Sequence, residues 1–441
     1  MSRRAIVATA LGAFVATVAV LALTGVGNLG GGDGDPLRDA RSRSEQASSA
    51  DRSRSTQARI ASLELQVRER PGDAKAWTAL AAAQLQRGRE TADGADYDRA
   101  QRALARALRL DARSPDAYTE RAILRFNQHE FAKALADARR ARQLAPELLR
   151  SRGIEVDALL ELGRYTEAER TLQRLIDLKP GLDAYARVAG VRELRGDLLG
   201  ATEAMRLAVS AGGEAPENAA YVQSLLGELL FLRGQRTQAT AAFQKALDKF
   251  PGHARASAGL ARAQVATGDL DAAERTLAGL VRRAPLPQYI LLLGEVQRAA
   301  GKSAVARRNL IRGVRLEREL IGGGVAPDAD TALVEADHGG IMRAVRAGRA
   351  AWRHAQSVRA ADALGWALTR AGRPAEGLLY ARRALRLGSR EPSFLFHAGM
   401  AAKGAGRAGE ARRLLRRALA TEPRFAPLYP AQARKALADL G

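Results

Sequence analysis

Two interleaved registers of small residues constrain this chain more than anything else in it. Stepping forward from Ala100, one meets Ala134, Ala168, Ala201, Ala239, Ala273, Ala306, Ala344, Gly377 and Ala411, at intervals of 34, 34, 33, 38, 34, 33, 38, 33 and 34 residues. Seven residues after each stands a second small or apolar residue: Ala107, Ala141, Leu175, Ala208, Ala246, Leu280, Gly313, Ala351, Ala384 and Ala418. A period of this length marks a supersecondary unit that cannot bury its apolar face alone and must stack on its copies. The 441 residues therefore read as one long array instead of several globular domains.

The units are helical. Hydrophobic residues make up 46% of the chain but aromatics only 5%, so packing rests on Ala and Leu, both strong helix formers. A ladder of glycines accompanies the registers: Gly163, Gly196, Gly234, Gly268, Gly301, Gly339, Gly372 and Gly406. Each lies where one helix ends and a second follows, a place that suits a left-handed residue closing the first helix. Pro71, Pro146, Pro180, Pro251, Pro285 and Pro423 close many of the cycles, where a residue without an N–H costs little.

At these positions the chain resembles the tetratricopeptide repeat, a 34-residue helix–turn–helix unit. The cleanest copy runs Leu226-Gly227-x2-Leu230, Ala239-x3-Phe243-x2-Ala246, Pro251; others carry Trp77-x2-Leu80-Ala81, Leu293-Gly294 and Leu364-Gly365. The resemblance implies an all-α, right-handed superhelical solenoid of about ten such hairpins over residues 73–424. A lead-in helix at 56–72 precedes them and a capping helix at 425–441 follows. Extra residues fall around Glu90 to Asp96, Ala211 to Pro216 and Ile321 to Pro327, and the copy from Asp328 to Gln356 is degenerate.

The N-terminus is of another kind. Ser2-Arg3-Arg4 precedes an uncharged apolar run from Ala5 to Leu23. Basic residues ahead of such a run read as a signal peptide or signal-anchor over residues 1–27, with the arginines staying inside. Export of the body to the outer side of the membrane follows as an expectation. Residues 28–55 are rich in Gly, Arg and Ser and read as a flexible tether that has little to bury.

Motifs for chemistry are missing from the sequence. There is no Cys, no phosphate loop, no dinucleotide fingerprint and no Gly-x-Ser-x-Gly. His129, His253, His338, His354 and His397 show no helical metal-ligand spacing. The stretch Glu335-Ala336-Asp337-His338-Gly339 is the single candidate metal cluster, against the plainer reading of His338 stabilising a helix C-terminus. The sequence is thus read as non-enzymatic, with no cofactor and no metal.

In the family it resembles, first helices line the concave face. That register places Phe126, Asn127, Asp157, Glu161, Glu193, Glu228, Phe231, Arg262, Glu295, Asp362, Trp366 and Arg370 on the inner face. An acidic stripe with scattered aromatics suits a basic or amphipathic peptide, although the chain as a whole carries a formal charge of +22. Thr78 and Ala82 stand where the family's carboxylate clamp uses Lys and Asn, which argues against capture of an acidic C-terminal tail. The leading expectation is a scaffold holding a protein or peptide partner. The alternative is an Arg-rich outer surface for an anionic envelope polymer or lipid headgroups, and an exported body argues against nucleic acid.

Overall fold

A computed structural model describes residues 49–91, 94–212, 216–322 and 327–441. The apolar run Ala5 to Leu23 and most of the proposed tether lie outside the described residues, as do the centres of the three insertions, at 92–93, 213–215 and 323–326. Among the described residues there are ten helical hairpins between a leading and a closing helix, and no strand. No helix there is long and apolar enough to cross a membrane.

The hairpins follow the registers read above. Ala100, Ala134, Ala168, Ala201, Ala239, Ala273 and Ala411 are fully buried, as are Ala107, Ala141, Ala208, Ala246, Ala384 and Ala418. The two registers are the seam along which the two helices of a hairpin and their neighbours approach, which small side chains permit. Side-chain caps start several helices: Ser114, Asp197, Asp269, Asp328 and Ser357 each accept a backbone N–H from their first turn.

Seven of the eight ladder glycines, all but Gly339, adopt left-handed φ values between +70° and +90°. His129 holds the same place in the second hairpin at φ +60°. Gly339 differs: its φ is −119°, and it leads through Gly340 into the next helix. The first helix of this eighth hairpin, Ala329–His338, is only ten residues long, and Gly340 N–H donates to the Glu335 carboxylate instead, at 2.6 Å.

The array winds tightly enough for its second turn to pack on its first. Val358 N–H donates to Tyr165 Oη at 2.8 Å across 193 residues. Arg359 reaches Glu161 at 3.4 Å across 198, and Arg236 holds Glu422 at 2.7–3.2 Å across 186. One apolar core includes Tyr165 and Leu159 together with Val358, Ala361 and Phe394. The space between the touching turns is the array's inner channel.

The ends differ somewhat from the sequence reading. The leading helix, Ser49–Glu69, starts seven residues before position 56 and ends before 72. Its Ala, Gln and Arg residues allow it to propagate back from Ile60, its first buried anchor. The closing helix, Tyr429–Ala438, begins later than 425, because residues 422–428 form a non-helical strap that buries Phe425.

Candidate functional site

The inner-face acids were read as a stripe facing a partner. In the structure Asp157, Glu228, Glu295 and Asp362, with Glu120 as a further rung, form a ladder of internal pairs, in which an acid on one first helix takes a base from the first helix of the next hairpin. Glu120 pairs with Arg150 at 2.7 Å. Asp157 receives Arg187 at 2.6 and 3.0 Å, and both side chains are fully buried, with Gly153 O and Asp183 also accepting from the guanidinium. Glu228 holds Arg255 at 2.9 Å and Arg262 at 3.3 Å. Glu295 accepts from His338 Nε2 at 2.8 Å, and Asp362 from His397 Nδ1 at 2.9 Å. The rungs fit together because each base must satisfy a carboxylate that burial would otherwise leave costly.

Glu161 is taken by the cross-turn contact from Arg359, which also grips Asp330 at 3.1 Å. Glu193 has no ion pair among the described residues; burial first, then Glu391 and Glu228 beside it, push its carboxyl well above the usual range. Phe126 sits edge-on to Phe131 at 5.1 Å, and Asn127 ends its helix half-buried. Trp366 is 2% exposed: it stacks on His397 at 4.5 Å and donates its Nε1–H to Asp337 at 2.9 Å. Arg370 lies over the Trp366 ring at 5.5 Å, one turn on, as the spacing placed it.

The Glu335–His338 stretch is not a metal cluster. Glu335 binds Arg318 at 2.7 and 2.9 Å, Asp337 accepts from Trp366 and Tyr429, and His338 turns to Glu295. The three side chains diverge, and no metal-binding group of His, Asp and Glu occurs among the described residues. His338 thus answers a carboxylate on the preceding hairpin instead of its own helix's carbonyls.

Free space remains at two adjoining cavities on the channel wall. One, of about 70 Å³, lies between Pro287–Ala299, Ala329–His338 and the C-terminal strap; it is lined by Leu291, Glu295, Asp330, Leu333, Val334, Asp337, His338, Ser393, His397, Leu428 and Tyr429, among others. The second, of about 50 Å³, is lined by Glu228, Phe231, Phe243, Arg262, Glu391, Phe425 and Pro427, and shares Ser393 and Ala426 with the first. Burial raises the Glu391 carboxyl to about 7. Burial, and then the neighbouring Asp337, raise the Tyr429 hydroxyl far above its ordinary value.

Of the inner-face residues picked from sequence, Glu228, Phe231, Arg262 and Glu295 come together at these cavities. Phe126, Asn127, Asp157, Glu161, Glu193, Asp362, Trp366 and Arg370 line neither. Sequence reasoning missed the bases Arg187, Arg255 and His397, and the strap with Phe425, Leu428 and Tyr429. The bases were findable, because each lies 27 to 35 residues beyond its acid, close to one period. The strap had no comparable signal.

Sequence models of the tetratricopeptide repeat match residues 155–219, 230–296 and 392–417. Solved structures similar to the chain include human IFIT1 dimers with PPP-AAAA (18% identity, 72% of this chain and 73% of that one, TM-score 0.47) and with m7Gppp-AAAA (17%, 76% and 77%, 0.49). PilW, described as a type IV pilus biogenesis factor, is similar at 16% identity over 47% of this chain and 97% of its own, with a TM-score of 0.39. No curated protein matches the chain significantly in sequence.

Proposed function

The chain belongs to the tetratricopeptide-repeat family, and from that premise we propose that it is a non-enzymatic adaptor which holds a segment of a protein partner in its inner channel. The observation that carries this reading is the pair of adjoining, largely apolar cavities, one between the seventh, eighth and tenth hairpins and the strap, the other between the fifth, sixth and tenth hairpins and the strap. Apart from Glu193, the inner-face acids read as ligands for a basic peptide are already matched by internal bases. What a partner can gain from this wall is burial of an apolar anchor, with Glu295 and Arg262 at the rim for orientation. The apolar run Ala5 to Leu23 behind two arginines supports a location on the outer side of the membrane, held there or released by cleavage.

A photo-crosslinking amino acid placed at Leu333 or Leu428, in the full chain expressed in its source cells, tests the reading. Adducts to one protein from both positions, and none from the exposed Ile311 on the outer helix Ser303–Gly322, are expected. Adducts from Ile311 alone would overturn it. That outcome would favour the alternative, in which Arg307, Arg308, Arg312 and Arg315, all exposed on that same helix, bind an anionic polymer or lipid headgroups.

A further inference from the structure

We infer that the larger cavity is a binding site for an alkyl cation, a short apolar stem ending in an ammonium or guanidinium group. The inference rests on the channel being the binding surface and names the chemistry recognised there. Its first ground is an unanswered acceptor. His397 is 2% exposed, lines the cavity, and is held through Nδ1 by the Asp362 carboxylate at 2.9 and 3.1 Å. A carboxylate only accepts, so Nδ1 carries a proton; in the tautomer with that proton alone, Nε2 presents a lone pair. That Nε2 is buried and has no hydrogen-bond partner. An acceptor left so is costly, and a donor that reached it would recover that cost.

The second ground is charge. Glu295, Asp330 and Asp337 line the same cavity, and no Lys or Arg does. Of the donors on these acids, Arg359 at 3.1 Å from Asp330, and Arg370 at 3.7 Å and Trp366 at 2.9 Å from Asp337, are not part of the lining, whereas Tyr429 on Asp337 and His338 at 2.8 Å from Glu295 are. An anion entering here would meet three carboxylates with His338 beside one of them, whereas a cation meets the three carboxylates and the His397 ring nitrogen. This holds inside a chain of net charge +22, whose average surface would select the opposite ligand.

The third ground is shape. Leu291, Leu333, Val334 and Leu428 supply an apolar lining beside the polar groups. At about 70 Å³ the space is well below the roughly 150 Å³ of a cavity that takes benzene, so it suits a slender, unbranched chain. A lysine or arginine side chain of a partner and a free amine share this chemistry.

Calorimetry on the full chain with butylammonium, against butanol and butyrate, decides the point. Saturable binding of butylammonium, at least about tenfold tighter than either control, is expected. His397→Phe removes the lone pair and Leu333→Phe narrows the cavity without touching a polar group; each is expected to weaken binding by about tenfold or more. If His397→Phe does not fold, Leu333→Phe carries the test. Butanol binding as well as butylammonium would overturn cation recognition, and so would absence of any binding; the crosslinks from Leu333 and Leu428 are read independently of both. A capped Ala-Lys-Ala peptide binding more tightly than butylammonium would assign the site to a partner's side chain, and the reverse order to a free amine.

Discussion

The glycine ladder offers a controlled measurement of how closely the two turns pack. Gly163, Gly196, Gly301 and Gly372 have φ values of +74°, +78°, +78° and +73° and close equivalent hairpins. An alanine at any of them bears the same left-handed penalty, about 1–2 kcal/mol. Their surroundings differ. A Cβ on Gly301 or Gly372 would meet no atom within 4 Å, whereas on Gly163 it would collide with the carbonyl of Gln356, and on Gly196 with that of Gly388. Both carbonyls belong to the second turn and are main-chain atoms that cannot rotate aside. Overpacking of this kind costs roughly 1–3 kcal/mol. Gly163→Ala and Gly196→Ala are thus expected to destabilise by about 2–5 kcal/mol in urea unfolding, and Gly301→Ala and Gly372→Ala by about 1–2 kcal/mol. Small-angle scattering should show the first pair, and not the second, enlarging the particle as the turns separate. Equal losses at all four positions, with unchanged scattering, would refute the packing of the second turn on the first and leave an open superhelix.

Two further outcomes follow from the buried charges. Asp157→Ala leaves the fully buried Arg187 cation without its main partner and should cost about 3–5 kcal/mol, while Asp157→Leu combined with Arg187→Met should recover most of it; a loss under about 0.5 kcal/mol, as for a solvated groove residue, would count against the pairing. Glu317 and Glu391 each have a carboxyl raised from 4.5 to about 7, chiefly by burial. The folded chain therefore binds more protons than the unfolded one between these values. Their contribution to stability is complete below 4.5 and lost as pH rises through about 7. Denaturant unfolding followed from about pH 5 to 8 should show a shallower decline in Glu317→Gln and Glu391→Gln than in the parent, and an unchanged slope would contradict the assignment.

How far the sequence reaches into this structure depends on the range of the interaction. The hairpins were legible because the small-residue registers and the glycines act within one period, and Ala100, Ala107 and Gly163 mean the same thing in every copy. Gly339 broke the ladder because a short helix ending in two glycines uses Glu335 to satisfy a backbone donor, a local choice that the register does not encode. The one-turn spacing within a helix was legible too: Asp362, Trp366 and Arg370 do share a side of their helix. Whether an inner-face acid is free or matched requires asking what lies one period further on, where Arg187 answers Asp157 and Arg255 answers Glu228. Contacts such as Tyr165 to Val358 arise from small rotations accumulated over more than five repeats, and no local pattern announces them.

The charge ladder also determines which experiments on the channel can be interpreted. Reversing Glu228 would leave Arg255 and Arg262 facing a like charge in a largely buried setting, so loss of a partner and loss of the fold would look the same. Reversing Glu295 would strip His338 of its acceptor and disturb the junction of the seventh and eighth hairpins. Leu333 and Leu428 belong to the cavity wall and to no rung, so substitutions there alter the space offered to a ligand while the ladder stays paired. A chain of net charge +22 with an acid-lined interior uses part of its arginine to hold successive first helices together. The positions that report on binding are therefore the apolar ones between the charges.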